Sequence, residues 1–437
     1  MNVRRFADYD VLILVSLIWF LGKFVRYAFP PLFEPLQAAY GVSNALIGAA
    51  FTGFMLVYAL LQFPSGVVAD RIGSVRVIVG GATVAGLGAL ALVVDSPFPI
   101  LVAAMLVIGA GTGVHKTVAV RLIACVYPAR TGRTLGAHDT LGAFGGVAAP
   151  TAVVVILSAP PALVPALDLL PGADWRGVFL LTGLAALALA AAFGLRLRGR
   201  LPGSRERSDG EEPTRDDGSR TEPTQDTVAE GEGVRSTDAP VGSPTGRDYV
   251  ALFRDRRFTG FVLVTVGVSF AHNGLVAFLP LYLSRVSGIT TTTASLLYSL
   301  FFWVTFVQLV TGDLSDRVGR FPMMVTTGGL AAAAMWGIVL VPRTEVVVLG
   351  ALIAAIGVGA HGFQPVRGAY LMKILPDRLA GGGLGAVRTV LMGAGALAPG
   401  IVGIVADISD FRVAFGLLAA AMALSAAGAA GLWVTGK

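Results

Sequence analysis

The chain has 437 residues, of which 55% are hydrophobic and only 14% charged, and its mean hydropathy is +0.75. Soluble domains carry about 25% charged residues, so this composition excludes an ordinary water-soluble enzyme or binding domain and implies a polytopic membrane protein. The net charge of +6 does not indicate nucleic-acid binding, because many of the basic residues flank apolar runs on alternate loops, where they set membrane orientation.

A helix crosses the hydrocarbon core with about 20 mainly apolar residues, and that criterion gives twelve spans. The first, at 9–29, follows Arg4 and Arg5 and runs on past Phe20, so it reads as a retained helix rather than a cleaved leader. It carries Lys23 and Arg26, three apart and so on one face. Spans at 44–64 and 75–94 follow, then a glycine-rich span at 98–123 with His115, Lys116 and Arg121. The fifth, at 134–157, holds His138 and Asp139, and the sixth covers 176–196.

Residues 199–248 are a different polymer, rich in Gly, Pro, Ser and Thr and holding 12 of the chain's 27 acids. Such a segment buries too little apolar surface to offset its ordering entropy, which predicts a disordered linker between bundles at 1–198 and 249–437. The second bundle has spans at 258–283 (His272, Asn273), 291–311, 322–341, 346–371 (His361, Gln364, Arg367), 381–404 (Arg388) and 411–434. When alternate loops are followed, Arg71, Arg76, Arg130, Arg133, Arg196, Arg317, Arg320 and Arg378 fall on one side with Arg4 and Arg5. The opposite loops hold Glu34, Asp95, Asp168 and Asp174, with isolated basics at Arg285 and Arg343. The positive-inside rule then predicts a plasma-membrane protein with both termini and the linker in the cytoplasm.

The two bundles echo each other. Asp70-Arg71-Ile72-Gly73 returns 246 residues later as Asp316-Arg317-Val318-Gly319, with Gln62 and Gly66 matched by Gln308 and Gly312. The same offset carries Gly111, Gly113, His115 and Arg121 onto Gly357, Gly359, His361 and Arg367, while an offset of 249 carries Pro150 onto Pro399. Equal halves of this kind are expected to be parallel repeats about an axis along the membrane normal.

Gly66-Val-Val-Ala-Asp70-Arg71-Ile-Gly73 and Gly312-Asp-Leu-Ser-Asp316-Arg317-Val-Gly319-Arg320 resemble the loop motif of the major facilitator superfamily and its second copy. The resemblance covers the chain outside the linker. It implies an all-α membrane protein of twelve transmembrane helices in two pseudo-symmetric six-helix bundles that rock about a midplane site. It further implies that helices 1, 4, 7 and 10 line the central cavity, that Asp70 braces the start of helix 11 near Gly381 to Gly383, and that Asp316 braces the start of helix 5. Ser74 stands where the first motif usually has a basic residue. A narrower similarity, to fosmidomycin-resistance-type members, is carried by Tyr127-Pro128-Ala-Arg130-Thr-Gly132-Arg133, Leu135-Gly136-Ala137-His138 and Gly145-Gly146.

Ionisable groups inside a membrane cost at least about 2.5–3.5 kcal/mol each and normally face a protein interior or wet cavity. Here they are mostly of one sign. Lys23, Arg26, His115, Lys116, His272, Asn273, His361, Gln364 and Arg367 are therefore the expected solute-binding set, and an anionic organic solute the expected cargo. The alternative is proton-coupled export of a drug or toxic amphipathic compound. His138 and Asp139 are candidates for carrying a coupled proton, and Asp139 with Arg388, its partner in the repeat, is expected to form an inner gate. The lone Cys125 allows no intrachain disulfide, and P-loop, H-E-x-x-H and Gly-x-Ser-x-Gly patterns are absent. The expectation is a monomeric transporter in the lipid bilayer, with no cofactor, no metal and no enzymatic activity.

Overall fold

The computed structural model describes residues 9–158, 175–197, 252–374 and 380–435, with side chains for all of these except 63 and 380–386. The linker expected at 199–248 lies outside the described residues. Twelve helices among the described residues are long and apolar enough to cross a membrane. They are α1 (Asp10–Tyr40), α2 (Asn44–Ile72), α3 (Ser74–Ala91), α4 (Phe98–Val126), α5 (Thr131–Leu157) and α6 (Arg176–Leu197) in the first half. In the second half they are α7 (Arg256–Arg285), α8 (Thr291–Val318), α9 (Arg320–Leu340), α10 (Val346–Ile374), α11 (Ala380–Ile408) and α12 (Phe411–Val434). The fold is the all-α, twelve-helix arrangement in two related bundles that the sequence implies.

The first span, read as ending at 29, continues to Tyr40 through Pro30, Pro31 and Pro35. Proline removes one helix hydrogen bond and crowds the preceding turn. In an apolar medium, however, the helix remains the way to satisfy the other backbone groups, and neighbouring helices support the interrupted stretch. Pro30, Pro31, Leu32 and Phe33 are all buried against such neighbours. The helix stops where Gly41 turns left-handed at φ 63° and returns its N–H to the Gln37 carbonyl.

The repeat is visible in the corners. Ser43 caps α2 by accepting from the Leu46 amide, and Thr290 caps α8 by accepting from the Thr293 amide. Gly73 (φ 92°, ψ 144°) joins α2 to α3, and Gly319 (φ 102°, ψ 148°) joins α8 to α9. Both lie in backbone space that is essentially restricted to glycine, so the glycine that ends each Asp-Arg-x-Gly motif fixes the same sharp corner twice.

In α4 and α10 the register differs from the one read in the sequence. An added Cβ at Gly109 would meet the Phe54 carbonyl of α2, and one at Gly357 the Phe301 carbonyl of α8. Likewise Gly111 lies against Gly81 and Ala85 of α3, and Gly359 against Thr327 and Ala331 of α9. The helix ends agree, since Phe98–Val126 and Val346–Ile374 have the same length and are 248 residues apart. The equivalent of His361 is therefore Gly113, and His115 corresponds to Phe363. The Gly-x-Gly steps recur every two residues, so a two-residue slip preserves the visible pattern while exchanging the neighbours.

Contacts between the halves cluster toward the end that carries the α1–α2, α7–α8 and α11–α12 loops. There the Asp407 carboxylate accepts from the Asn44 and Ala45 amides (3.2 and 2.7 Å) and from the Asn44 side chain (2.8 Å). Arg285 donates to Gln37 (2.8 Å), and Thr291 donates to Glu34 (3.1 Å). Deeper in, the Gly400 amide donates to Thr52 and the Gln62 side-chain amide to the Met392 sulfur. Along α5 and its C-cap, Ser158, Thr151 and Phe144 recur every seven residues, so they share a face, and they meet Thr292, Ser299 and Trp303 of α8. The next residue of that stripe, Ala137, is exposed, as are Thr140 beside it and Arg388 one turn beyond Met392. The halves are thus closed at one end and apart at the other.

Candidate solute site between the halves

Trp19 on α1 organises the first half's share of the site. Its ring lies parallel to His115 of α4 (centroids 5.8 Å apart) and to His138 of α5 (6.0 Å). The ammonium groups of Lys23 and Lys116 stand 5.4 and 5.3 Å from the indole centroid, within cation–π range. Glycine makes room for this ring, because a Cβ at Gly142 would overlap the indole. Two turns along α1 from Trp19, the Arg26 guanidinium lies 3.6 Å above the Tyr58 ring. Arg26 is only 8% exposed, and neither it nor Lys23 forms an ion pair with a described residue.

The second half contributes a smaller, more aromatic group. His272 of α7 and His361 of α10 meet edge-on at 5.5 Å, and both lie against Phe301 of α8. Tyr27 and Phe302 join the two groups, with ring centroids 4.3 Å apart across the interface. Lys23 lies within electrostatic reach of His272 and His361 as well as of Lys116, Arg26 and Asp139. One lysine therefore faces both clusters. Two buried nitrogens at this junction, Trp19 Nε1 and His138 Nε2, have no hydrogen-bond partner among the described residues. Unpartnered buried donors and acceptors of this kind are the groups a polar guest satisfies.

Several expected residues take other roles here. Asn273 donates to the Ser269 carbonyl on its own helix. Gln364 and Arg367 are half-buried on α10. His138 is fully buried, and its Nδ1 bonds the Ser16 hydroxyl at 3.1 Å. Asp139, expected opposite Arg388, is paired with Lys116. Asp70, expected to brace α11, is paired with Arg121 of α4. Asp316 makes no ion pair with a described residue, and Arg71, Arg317 and Arg388 are exposed. The physical reason is shared: the expected partners belong to the opposite half, which stands away at this end. Gly66 and Gly312 lie on the final turns of α2 and α8 without crowding, and Arg320 begins α9 with a buried Nη1 that lacks a partner.

Sequence reading found the charges but missed the rings between them. Trp19 precedes Lys23 by four residues and Tyr27 adjoins Arg26. The one available signal was this i, i+4 aromatic–cation pair on a helix already marked by intramembrane charge.

Comparison with known proteins supplies the family. The family model of the Major Facilitator Superfamily matches residues 15–363. A relative, the Multidrug resistance protein B homolog of Mycobacterium tuberculosis, is 26% identical over 380 residues, covering 82% of this chain and 64% of its own length. Another, named Probable sulfoacetate transporter SauU, from Cupriavidus necator, is 24% identical over 188 residues, covering 43% of this chain and 41% of its own length. The chain thus spans less than two-thirds of either relative. Among solved structures, a bacterial homolog of the human lysosomal transporter Spinster, in an inward-facing and occupied conformation, superposes with a TM-score of 0.74 at 16% identity, covering 97% of this chain and 96% of that one. A point mutant of the nucleoside transporter NupG superposes with a TM-score of 0.71 at 12% identity, covering 97% of this chain and 100% of that one. At such identities the likeness is one of fold. The chain belongs to the major facilitator superfamily and is a multi-pass membrane protein.

Proposed function

We propose that the transported solute is a small organic anion, bound between the Trp19 and His272 clusters with Lys23 and Arg26 as its countercharges. The observation that carries this reading is the charge balance around Trp19. Lys23 and Lys116 converge there with Arg26 in electrostatic reach of Lys23, and Asp139, the one carboxylate acting on Lys23 among the described residues, is already paired with Lys116. Buried Arg26 and half-buried Lys23 are left without a carboxylate partner among the described residues, a place for a guest to fill, and leaving a buried charge unpaired is costly. A carboxylate, phosphonate or sulfonate answers that need, and one relative is named for sulfoacetate, a solute of this class. The similarity to fosmidomycin-resistance-type members points the same way. On the arginine distribution, the closed end faces outside and the termini face the cytoplasm, so this conformation is inward-open.

The test is counterflow in proteoliposomes with labelled sulfoacetate and with carboxylate and phosphonate analogues. Lys23→Gln and Arg26→Gln are each expected to reduce exchange at least about tenfold, the equivalent of one lost charge-assisted contact. Exchange of neutral sugars or cationic drugs, with none of anions, would overturn the reading. The second reading, export of an amphipathic compound, draws on the aromatic lining and on the relative named for multidrug resistance. Dependence of exchange on an imposed pH gradient tests whether His138 and Asp139 couple transport to protons.

A further inference from the structure

Three arginines at the closed end are not accounted for by membrane orientation. Basic residues gather in cytoplasmic loops, yet Arg285, Arg343 and Arg412 lie among the helix ends and loops that the same rule assigns to the outside. They come from three separate segments: the last turn of α7, the α9–α10 loop and the first turn of α12. All three nevertheless line one cavity of about 830 Å³, within the range of sites that hold small molecules.

The chemistry of the lining is lopsided. Asp410 also borders the cavity, but its carboxylate accepts from the Val413 amide and so caps α12. Arg343 and Arg412 make no ion pair with a described residue. Arg285 is held by its bonds to Gln37 and Asn44 and has further N–H groups to offer. Three guanidinium groups around a single space repel one another, and their planar forks match an oxyanion.

We propose that this cavity is an oxyanion site, separate from the central solute site, that takes a phosphate, sulfonate or carboxylate group from a dissolved molecule or a lipid headgroup. Asn44, which completes the lining, and Gln37, which holds Arg285, both belong to the first half. The site is therefore whole only while this end is closed. A ligand stabilises the state that binds it, so occupancy holds the end shut.

The test uses the full chain in nanodiscs of phosphatidylcholine alone, with inorganic phosphate compared with chloride at equal ionic strength. Phosphate is expected to raise the thermal midpoint of the wild type and of Lys23→Gln by a few degrees, and the exposed double variant R343Q/R412Q is expected to lose most of that rise. The variant R343K/R412K, which keeps charge but not the fork, should retain part of it and serves as the folding control. If phosphatidylglycerol in the disc reproduces the rise without dissolved phosphate, and the double variant again loses it, the site stands and a lipid headgroup is its source. Stabilisation kept by R343Q/R412Q but lost in Lys23→Gln would put phosphate in the central cavity and overturn the inference. No stabilisation from either source would overturn it as well. Spin labels at Leu46 and Leu417, in a Cys125→Ser background, should show a narrower distance distribution with phosphate; a thermal rise without narrowing would refute the link to closure.

Discussion

Trp19 shows how one residue can set the character of a site that charge patterns only outline. Its indole fits against α5 because position 142 is glycine, so Gly142→Ala places a methyl inside the ring's space. Overpacking of this kind costs about 1–3 kcal/mol, and thermal unfolding in detergent should show it. Gly136→Ala, on the same helix with nothing within 4 Å, should leave the midpoint unchanged. Asp139 offers a different contrast. Its side chain is 57% exposed, so the Lys116 pair is worth at most about 1 kcal/mol to stability. Asp139→Asn is therefore expected to leave the unfolding midpoint nearly intact while reducing transport strongly. A fall in transport that merely tracks a fall in stability would show that the pair is structural. The charge swap Asp139→Arg with Arg388→Asp addresses the expected inner gate, since restored transport requires that the two meet at some stage of the cycle.

Among the elements, the Asp-Arg-x-Gly corners were legible and the helix neighbours were not. Gly73 and Gly319 announce themselves by repetition, and both occupy backbone space that a Cβ resists. Gly73→Ala and Gly319→Ala should each cost about 1–3 kcal/mol, although neither glycine has a crowded Cβ position. Equal losses in the two variants would confirm that the corners are equivalent. The spans were readable because a membrane helix is written in local hydropathy, and the prolines of α1 misled because local rules do not include the helices that support them. The α4–α10 register was misread for a related reason. Gly109, Gly111 and Gly113 form a pattern that matches itself after a two-residue slip, and only contact with α2 and α3 distinguishes the alternatives. His115 and His361 are therefore not counterparts, which explains why one stacks on Trp19 and the other lies tilted against Phe301.

For the whole molecule, the duplicated architecture and its superfamily could be read from sequence, but the conformational state could not. Asp407 illustrates the gap: in the sequence it is one acid near a helix end, while in the fold it caps α2 from the other half, 363 residues away from Asn44. Charge-assisted bonds of this type contribute about 1.5–3 kcal/mol. Asp407→Ala should accordingly shift the population toward opening at this end, seen as a longer mean distance between spin labels at Leu46 and Leu417. An unchanged distance distribution would show that Arg285 and Thr291 suffice to hold the halves together.

A fastening at one end obliges the opposite end to hold an equivalent one in reserve, because a cycle turns quickly only if its two rest positions are nearly equal in energy. The residues able to supply it are already occupied: Asp70 with Arg121, and Asp139 with Lys116. Each of these bonds joins neighbours within a half and lies exposed enough to break cheaply. In the proposed transport cycle, rocking would then be an exchange of partners rather than a making and breaking of bonds, with carboxylates released by their own half as the other half arrives. Such an exchange keeps the number of satisfied charges constant throughout the stroke. It would also leave Lys116 free beside the solute at the moment the path to the far side opens.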